Sequence, residues 1–176
     1  AARGIGAIQF DEPAFNVDAY AGEIEDWGIA ALERAIEGVS CDTAVHICYG
    51  YGIKANLDWK TSLGEEWRQY ERTFPLLARS RIGQVSVECA ASRVPLALLR
   101  LLDGKGVLAG VIDVASHRVE TPEEVAAMIR RVLEHVPASR LLPCTNCGMA
   151  PLPREVARGK LRALGHGTAL VRAELG

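Results

Sequence analysis

The chain has 176 residues, a formal net charge of −2, 49% apolar residues and 24% charged ones, the profile of one globular α/β domain. Such a charge gives no net field to draw it to nucleic acid or an anionic membrane, and no apolar run approaches the roughly 20 residues of a membrane-spanning helix. The opening residues AARGIGAIQF carry no signal-peptide pattern, so a cytoplasmic protein is expected.

In chain order, short apolar runs alternate with longer amphipathic stretches. A strand is predicted over 4–11, a helix over 23–38 and a second strand over 43–49. Gly50-Tyr51-Gly52-Ile53-Lys54-Ala55-Asn56 reads as a βα loop, either able to close over a substrate or lying plainly on the surface. A helix follows over 65–80, a strand over 84–89, a short helix over 95–102 and a strand over 107–114. The last unit pair is a helix over 122–135, a strand over 140–143 and a closing helix over 153–175. The helix at 122 has the clearest start signal. Thr121-Pro122-Glu123-Glu124 offers a hydroxyl cap, a proline in the first turn and acids at the positive end of the dipole.

Five βα units in series predict a parallel sheet, open and doubly wound or closed as a barrel. No G-x-G-x-x-G or Walker sequence follows a strand, so nucleotide-binding open sheets lose support. A whole barrel takes about 250 residues. Residues 1–176 are therefore expected to form a single domain lacking upstream βα units, which a further segment or a partner would supply.

Alternation along each strand sorts its side chains onto two faces. In the second strand His46 and Cys48 share a face with Ala44, opposite Val45, Ile47 and Tyr49. In the third, Ser86 and Glu88 oppose Val85, Val87 and Cys89. Asp11 closes the first strand beside Gln9, Asp113 closes the fourth, and the fifth runs into Cys144-Thr145-Asn146-Cys147-Gly148. Ala7, Gln9, Ala44, Ser86 and Ala109 are read as the small or polar inward set. Barrel enzymes place their active sites at these strand ends, and His, Cys and Glu converging there are ligand types that zinc prefers.

Each signal has a plainer alternative: H-x-C as a hydrogen-bonded core pair, Glu88 as the ion-pair partner of Arg93, and any single cysteine as a buried apolar group. Cys41 and Cys89 read as structural and Cys144 as a bystander. Trp59 and Trp67 are read as helix-packing aromatics in preference to a stacking surface for a ring-shaped ligand.

The motifs Ile8-Gln9-Phe10-Asp11-Glu12-Pro13-Ala14, Val45-His46-Ile47-Cys48-Tyr49, Val87-Glu88, Gly110-Val111-Ile112-Asp113-Val114 and Asn146-Cys147-Gly148 stand in this order. Together they cover most of the chain, which resembles the catalytic domain of the cobalamin-independent methionine synthase family, in particular its short, single-barrel members. The resemblance implies the C-terminal five βα units of a (β/α)8 barrel. It implies that His46, Cys48, Glu88 and Cys147 bind Zn²⁺ and that Asp11 holds the amino group of homocysteine, with Glu88 also facing the substrate. The implied activity is methionine formation on a zinc-bound thiolate, with small molecules as the only substrates. The family's full-length enzymes place a histidine two residues after the G-V-x-D aspartate. Here that residue is Ala115, with His117 two residues further on, so Asp113 and His117 are the candidate catalytic residues. Proton delivery to a departing folate stays open, and the methyl donor stays open between methyltetrahydrofolate and a corrinoid-bound methyl. Two other readings remain: a uroporphyrinogen decarboxylase-like enzyme working without metal, and a metal- or corrinoid-binding accessory domain.

Overall fold

The computed structural model describes residues 4–16, 21–51 and 54–176. Gly52 and Ile53 of the predicted loop, and the first three residues of the opening segment, lie outside the described residues. Among the described residues five strands form one sheet: β1 (Ala7–Asp11), β2 (Asp42–Ile47), β3 (Gln84–Glu88), β4 (Gly106–Ile112) and β5 (Leu141–Thr145). All neighbours are parallel and the spatial order is β1-β2-β3-β4-β5. A doubly wound sheet reverses its strand order at a switch point; this one has none. The order is that of consecutive barrel units, whose right-handed crossovers put every helix on the same face.

The register fixes those faces. Asp11 pairs with His46, His46 with Ser86, Ser86 with Leu108 and Leu108 with Leu142, so these five form one inward layer. Val45, Ile47, Val85, Val87, Val107, Ala109 and Val111 are buried on the other face, in the core shared with the helices. Ala109, expected inward, pairs with Val87 and so packs under the helices. Asp113 lies one residue past β4 and beyond a register shift between Gly110 and Ile112, so alternation along the strand does not set its direction.

The helices are α1 (Ala21–Glu23), α2 (Ile29–Ala35), α3 (Lys54–Ser62), α4 (Tyr70–Arg79), α5 (Pro122–Leu133) and α6 (Arg154–Leu175), with 3-10 turns at Pro13–Asn16, Leu96–Leu102 and Ala138–Arg140. The capping box anticipated at Thr121 is present. The Thr121 hydroxyl accepts from the Glu124 N–H at 3.2 Å, and the Glu124 carboxylate accepts from the Thr121 N–H at 2.8 Å. The helix predicted over 23–38 is interrupted by a five-residue π segment, Ile24–Gly28, where Gly28 runs close to the Phe15 ring. The helix predicted from residue 65 begins at Tyr70, because the Trp67 N–H donates to the Arg93 carbonyl at 3.0 Å and the indole is only 7% exposed. Burying that ring outweighs one more turn of helix. α3 begins inside the segment read as a loop.

α6 lies directly on α5, and Gly167 makes the approach possible: a Cβ there would stand 2.6 Å from Val125 Cβ and 2.7 Å from the Pro122 carbonyl oxygen. No described helix is long and apolar enough to cross a membrane.

Candidate metal centre

His46 is buried on β2, and Cys48 follows two residues on, just past the strand end. Cys147 comes from the turn after β5. The ligand atoms of these three residues all lie within 4.8 Å of one another, and the two sulfurs are 3.7 Å apart. The imidazole is oriented by Ser86, its partner in register, whose Oγ is 2.8 Å from Nδ1. That leaves Nε2 facing the thiols, buried and with no hydrogen-bond partner among the described residues. A buried nitrogen without a partner costs free energy unless something else engages it. The contact with Cys48, reinforced by His46, pulls the Cys147 thiol well below its ordinary range, while the contact with Cys147 and burial push Cys48 up.

Cys147 is seated by Asn146, which is fully buried. The Asn146 amide nitrogen donates to the Ala90 carbonyl at 2.7 Å and to the Tyr51 hydroxyl at 3.1 Å. Its oxygen accepts from the N–H groups of Cys89 and Ala90 at 3.2 and 3.3 Å. A primary amide has two donors and one double acceptor, and here all are used, tying the turn after β5 to the end of β3. Gly110 makes room for it, since a Cβ there would stand 2.4 Å from Asn146 Oδ1 and 2.6 Å from Asn146 Cα.

Glu88 stands beside the cluster but outside it. It is 1% exposed, one carboxylate oxygen accepts from the Tyr49 N–H at 2.7 Å, and the other accepts from the Tyr51 hydroxyl. The alternative pairing with Arg93 is not formed; that guanidinium donates to the Gly64 carbonyl. Tyr51 in turn lies under the ammonium of Lys60, 4.1 Å from its ring centroid, an attraction that holds α3 against this corner. Trp59 and Trp67 pack on Tyr49, with ring centroids 5.5 and 4.8 Å away, in line with the packing reading.

A cavity of about 260 Å³ opens on the inner face, lined by Gln9, Asp11, His46, Ser86, Cys144 and Cys147 among others. Asp11 is exposed at its rim, bonded to the Gln9 amide at 2.9 Å. Cys144 lines the cavity, and burial pushes its thiol up to about 12. Asp113 and His117 do not line it. The Asp113 carboxylate accepts from the Ala115 N–H at 2.8 Å in a local turn, and His117 is exposed on the loop between β4 and α5. The sequence pattern thus placed His46, Cys48 and Cys147 together. It missed Asn146, Tyr51 and the orienting role of Ser86; only the register between β2 and β3 could have pointed to the last.

A parallel α/β sheet of barrel order, with an imidazole and two thiols gathered at its C-terminal strand ends, is the class of protein these features define. The chain belongs to the family described as cobalamin-independent synthase, catalytic domain, whose model matches residues 1–168. It is 34% identical over 174 residues to a methionine synthase of Saccharolobus islandicus (strain Y.G.57.14 / Yellowstone #1), covering 98% of this chain and 46% of that protein. It is 36% identical over 200 residues to the 2-hydroxypropyl-CoM lyase of Xanthobacter autotrophicus (strain ATCC BAA-1158 / Py2), covering 99% and 51%. Among solved structures, a B12-independent methionine synthase from Shewanella sp. W3-18-1 in complex with selenomethionine superposes with a TM-score of 0.94 at 60% identity, over 99% of this chain and 50% of that one. The chain therefore spans about half the length of the relatives it matches.

Proposed function

We propose that this chain carries the metal-binding half of a thiol methyltransferase: a site that binds Zn²⁺ through His46, Cys48 and Cys147 and methylates homocysteine to methionine. The observation that carries the reading is the unpartnered, buried His46 Nε2 facing two sulfurs 3.7 Å apart, a nitrogen and sulfur donor set of the kind zinc prefers. Zinc, when bound, supplies a Lewis acid that keeps a coordinated thiol deprotonated at neutral pH. Glu88 is the fourth protein ligand in this reading, and it would have to give up its bond to Tyr51 to serve. Asp11, at the rim of the inner cavity, binds the substrate's ammonium. Asp113 and His117, on the loop between β4 and α5, are the candidate catalytic residues toward the methyl donor. In the transfer the bond between donor and methyl breaks as a carbon–sulfur bond to the substrate forms, and the donor leaves with the electron pair. The other half of the barrel comes from a further segment or a partner, and the protein works in the cytoplasm.

Support for the substrate comes from the family and from the related Shewanella enzyme's complex with selenomethionine. The lyase relative is as similar as the methionine synthase relative, so the thiol itself has to be tested. Properly zinc-loaded protein is expected to hold about one ion per chain, since one set of ligands takes one zinc. Cys48→Ser and Cys147→Ser should each lose most of it, while Cys41→Ser and Cys89→Ser retain it. Elemental analysis reads the metal, and zinc-edge absorption during titration with homocysteine or coenzyme M reads which thiol binds. Full zinc retention in a His46→Ala, Cys48→Ser double variant would refute the site. A response to coenzyme M alone would refute the substrate.

A further inference from the structure

Outside the metal cluster, the described ionic pair with least access to solvent is Lys160 of α6 with Glu120 of the β4–α5 loop, whose side chains are 0% and 9% exposed. Each ammonium proton has an acceptor: the Arg118 carbonyl at 2.6 Å and the two Glu120 oxygens at 2.9 and 3.1 Å. One of those oxygens also accepts from the Asp113 N–H at 3.0 Å. A single carboxylate thus joins the first residue after β4 to the far end of the loop, and a lysine from a helix far along the chain locks both. The helix runs hard against the loop here, for a Cβ on Gly159 would stand 3.0 Å from the Val119 side chain.

Val114 anchors the start of the loop in the core and the Arg118 guanidinium donates to Glu124 on the surface. Ala115, His117, Arg118 and Val119 are all exposed, so apolar burial does not set the position of the loop's far end. A buried ion pair is a weak source of stability and a directional one. Two apolar side chains would fill the same space without fixing a carbonyl and an amide. We propose that Lys160 and Glu120 are the positioning residues of the β4–α5 loop, clamping the backbone from Asp113 to Glu120 beside the end of β4. The link to catalysis rests on the methyl-transfer reading above; the clamp itself does not.

The test uses the chain joined to the remaining barrel units, with three variants: Lys160→Met, the double variant Lys160→Met with Glu120→Leu, and Glu120→Gln. Hydrogen exchange at the Asp113 amide should rise at least about tenfold in the first two, as expected when a local anchor is lost. The strands and the zinc content should be unchanged. Glu120→Gln keeps an oxygen for the Asp113 N–H and should retain most of the protection. In methyl-transfer assays the KM for the methyl donor should rise in the first two variants while homocysteine affinity holds. The double variant leaves no unpaired buried charge, so it decides the matter if Lys160→Met does not fold. Unchanged exchange at Asp113 in the double variant would overturn the proposal. So would a uniform loss of protection across the sheet with loss of zinc, which would mark a role in stability alone. A wild-type chain that binds no thiol would sink the methyl-transfer reading and leave the exchange result standing.

Discussion

At Gly110 a single methyl group would meet the backbone of the residue that seats Cys147. The nearest atoms include Asn146 Cα and N at 2.6 and 2.9 Å, and backbone cannot swing aside as a flexible side-chain tip can. Gly110→Ala should therefore destabilise the chain by about 1–3 kcal/mol, the usual cost of overpacking, and lower zinc affinity as the turn after β5 shifts. Calorimetry with metal titration reads both. Asp11→Asn should act differently: it leaves zinc content intact and weakens thiol-substrate binding by roughly 1.5–3 kcal/mol, the worth of a hydrogen bond to a charged group. Loss of zinc with substrate affinity retained would make Asp11 part of the metal site instead. His46 and Cys48 were legible in the sequence because alternation along a strand sorts faces without knowledge of the neighbours. Ala109 was not read this way, although Val107 two residues before it marks that parity as helix-facing. Asn146 was illegible for another reason. Three of its partners, Tyr51, Cys89 and Ala90, are distant in sequence, and no local pattern encodes a satisfied amide.

Among the elements, α5 shows the closest agreement between sequence and structure, and its start can be tested alone. Thr121→Ala removes the hydroxyl that accepts from the Glu124 N–H and should cost about 1 kcal/mol in a denaturant melt. The Thr121 N–H and the Arg118 guanidinium hold the Glu124 carboxyl below its usual range. A depressed carboxylate adds stability above its unfolded pKa and loses it as pH falls through its folded one. Glu124→Gln should flatten that acid-side loss, and melts across the acid range would show it; the exposed position keeps the effect small. Where the sequence reading failed, tertiary contacts had overridden local preference. Residues 65–69 forgo a helical turn to bury Trp67. Residues 54–62 form α3 although K-A-N-L-D-W-K-T-S has no apolar stripe at helical spacing; the helix is held by Lys60 over the Tyr51 and Trp67 rings.

For the whole molecule, the strand order carries the largest consequences. Among the described residues β1 and β5 each have one neighbour, and the inner layer is open, with Leu142 41% exposed. Bare edges and an uncovered face favour self-association. The chain in isolation is expected to be oligomeric or aggregation-prone, and to bind zinc weakly with little turnover. Joining it to roughly 100–150 residues of the remaining barrel units should restore a monodisperse enzyme. Sedimentation and metal titration check this, and a monomer with a sharp melt and full turnover would refute it. The same strand order governs how the protein is made. Each strand pairs with the one synthesised just before it, so the sheet can assemble in the direction of translation, unit by unit. The contact that must wait is Cys48 with Cys147, 99 residues apart. On the ribosome the cluster of His46, Cys48 and Cys147 then closes only after all five strands have emerged, with α6 alone still to dock.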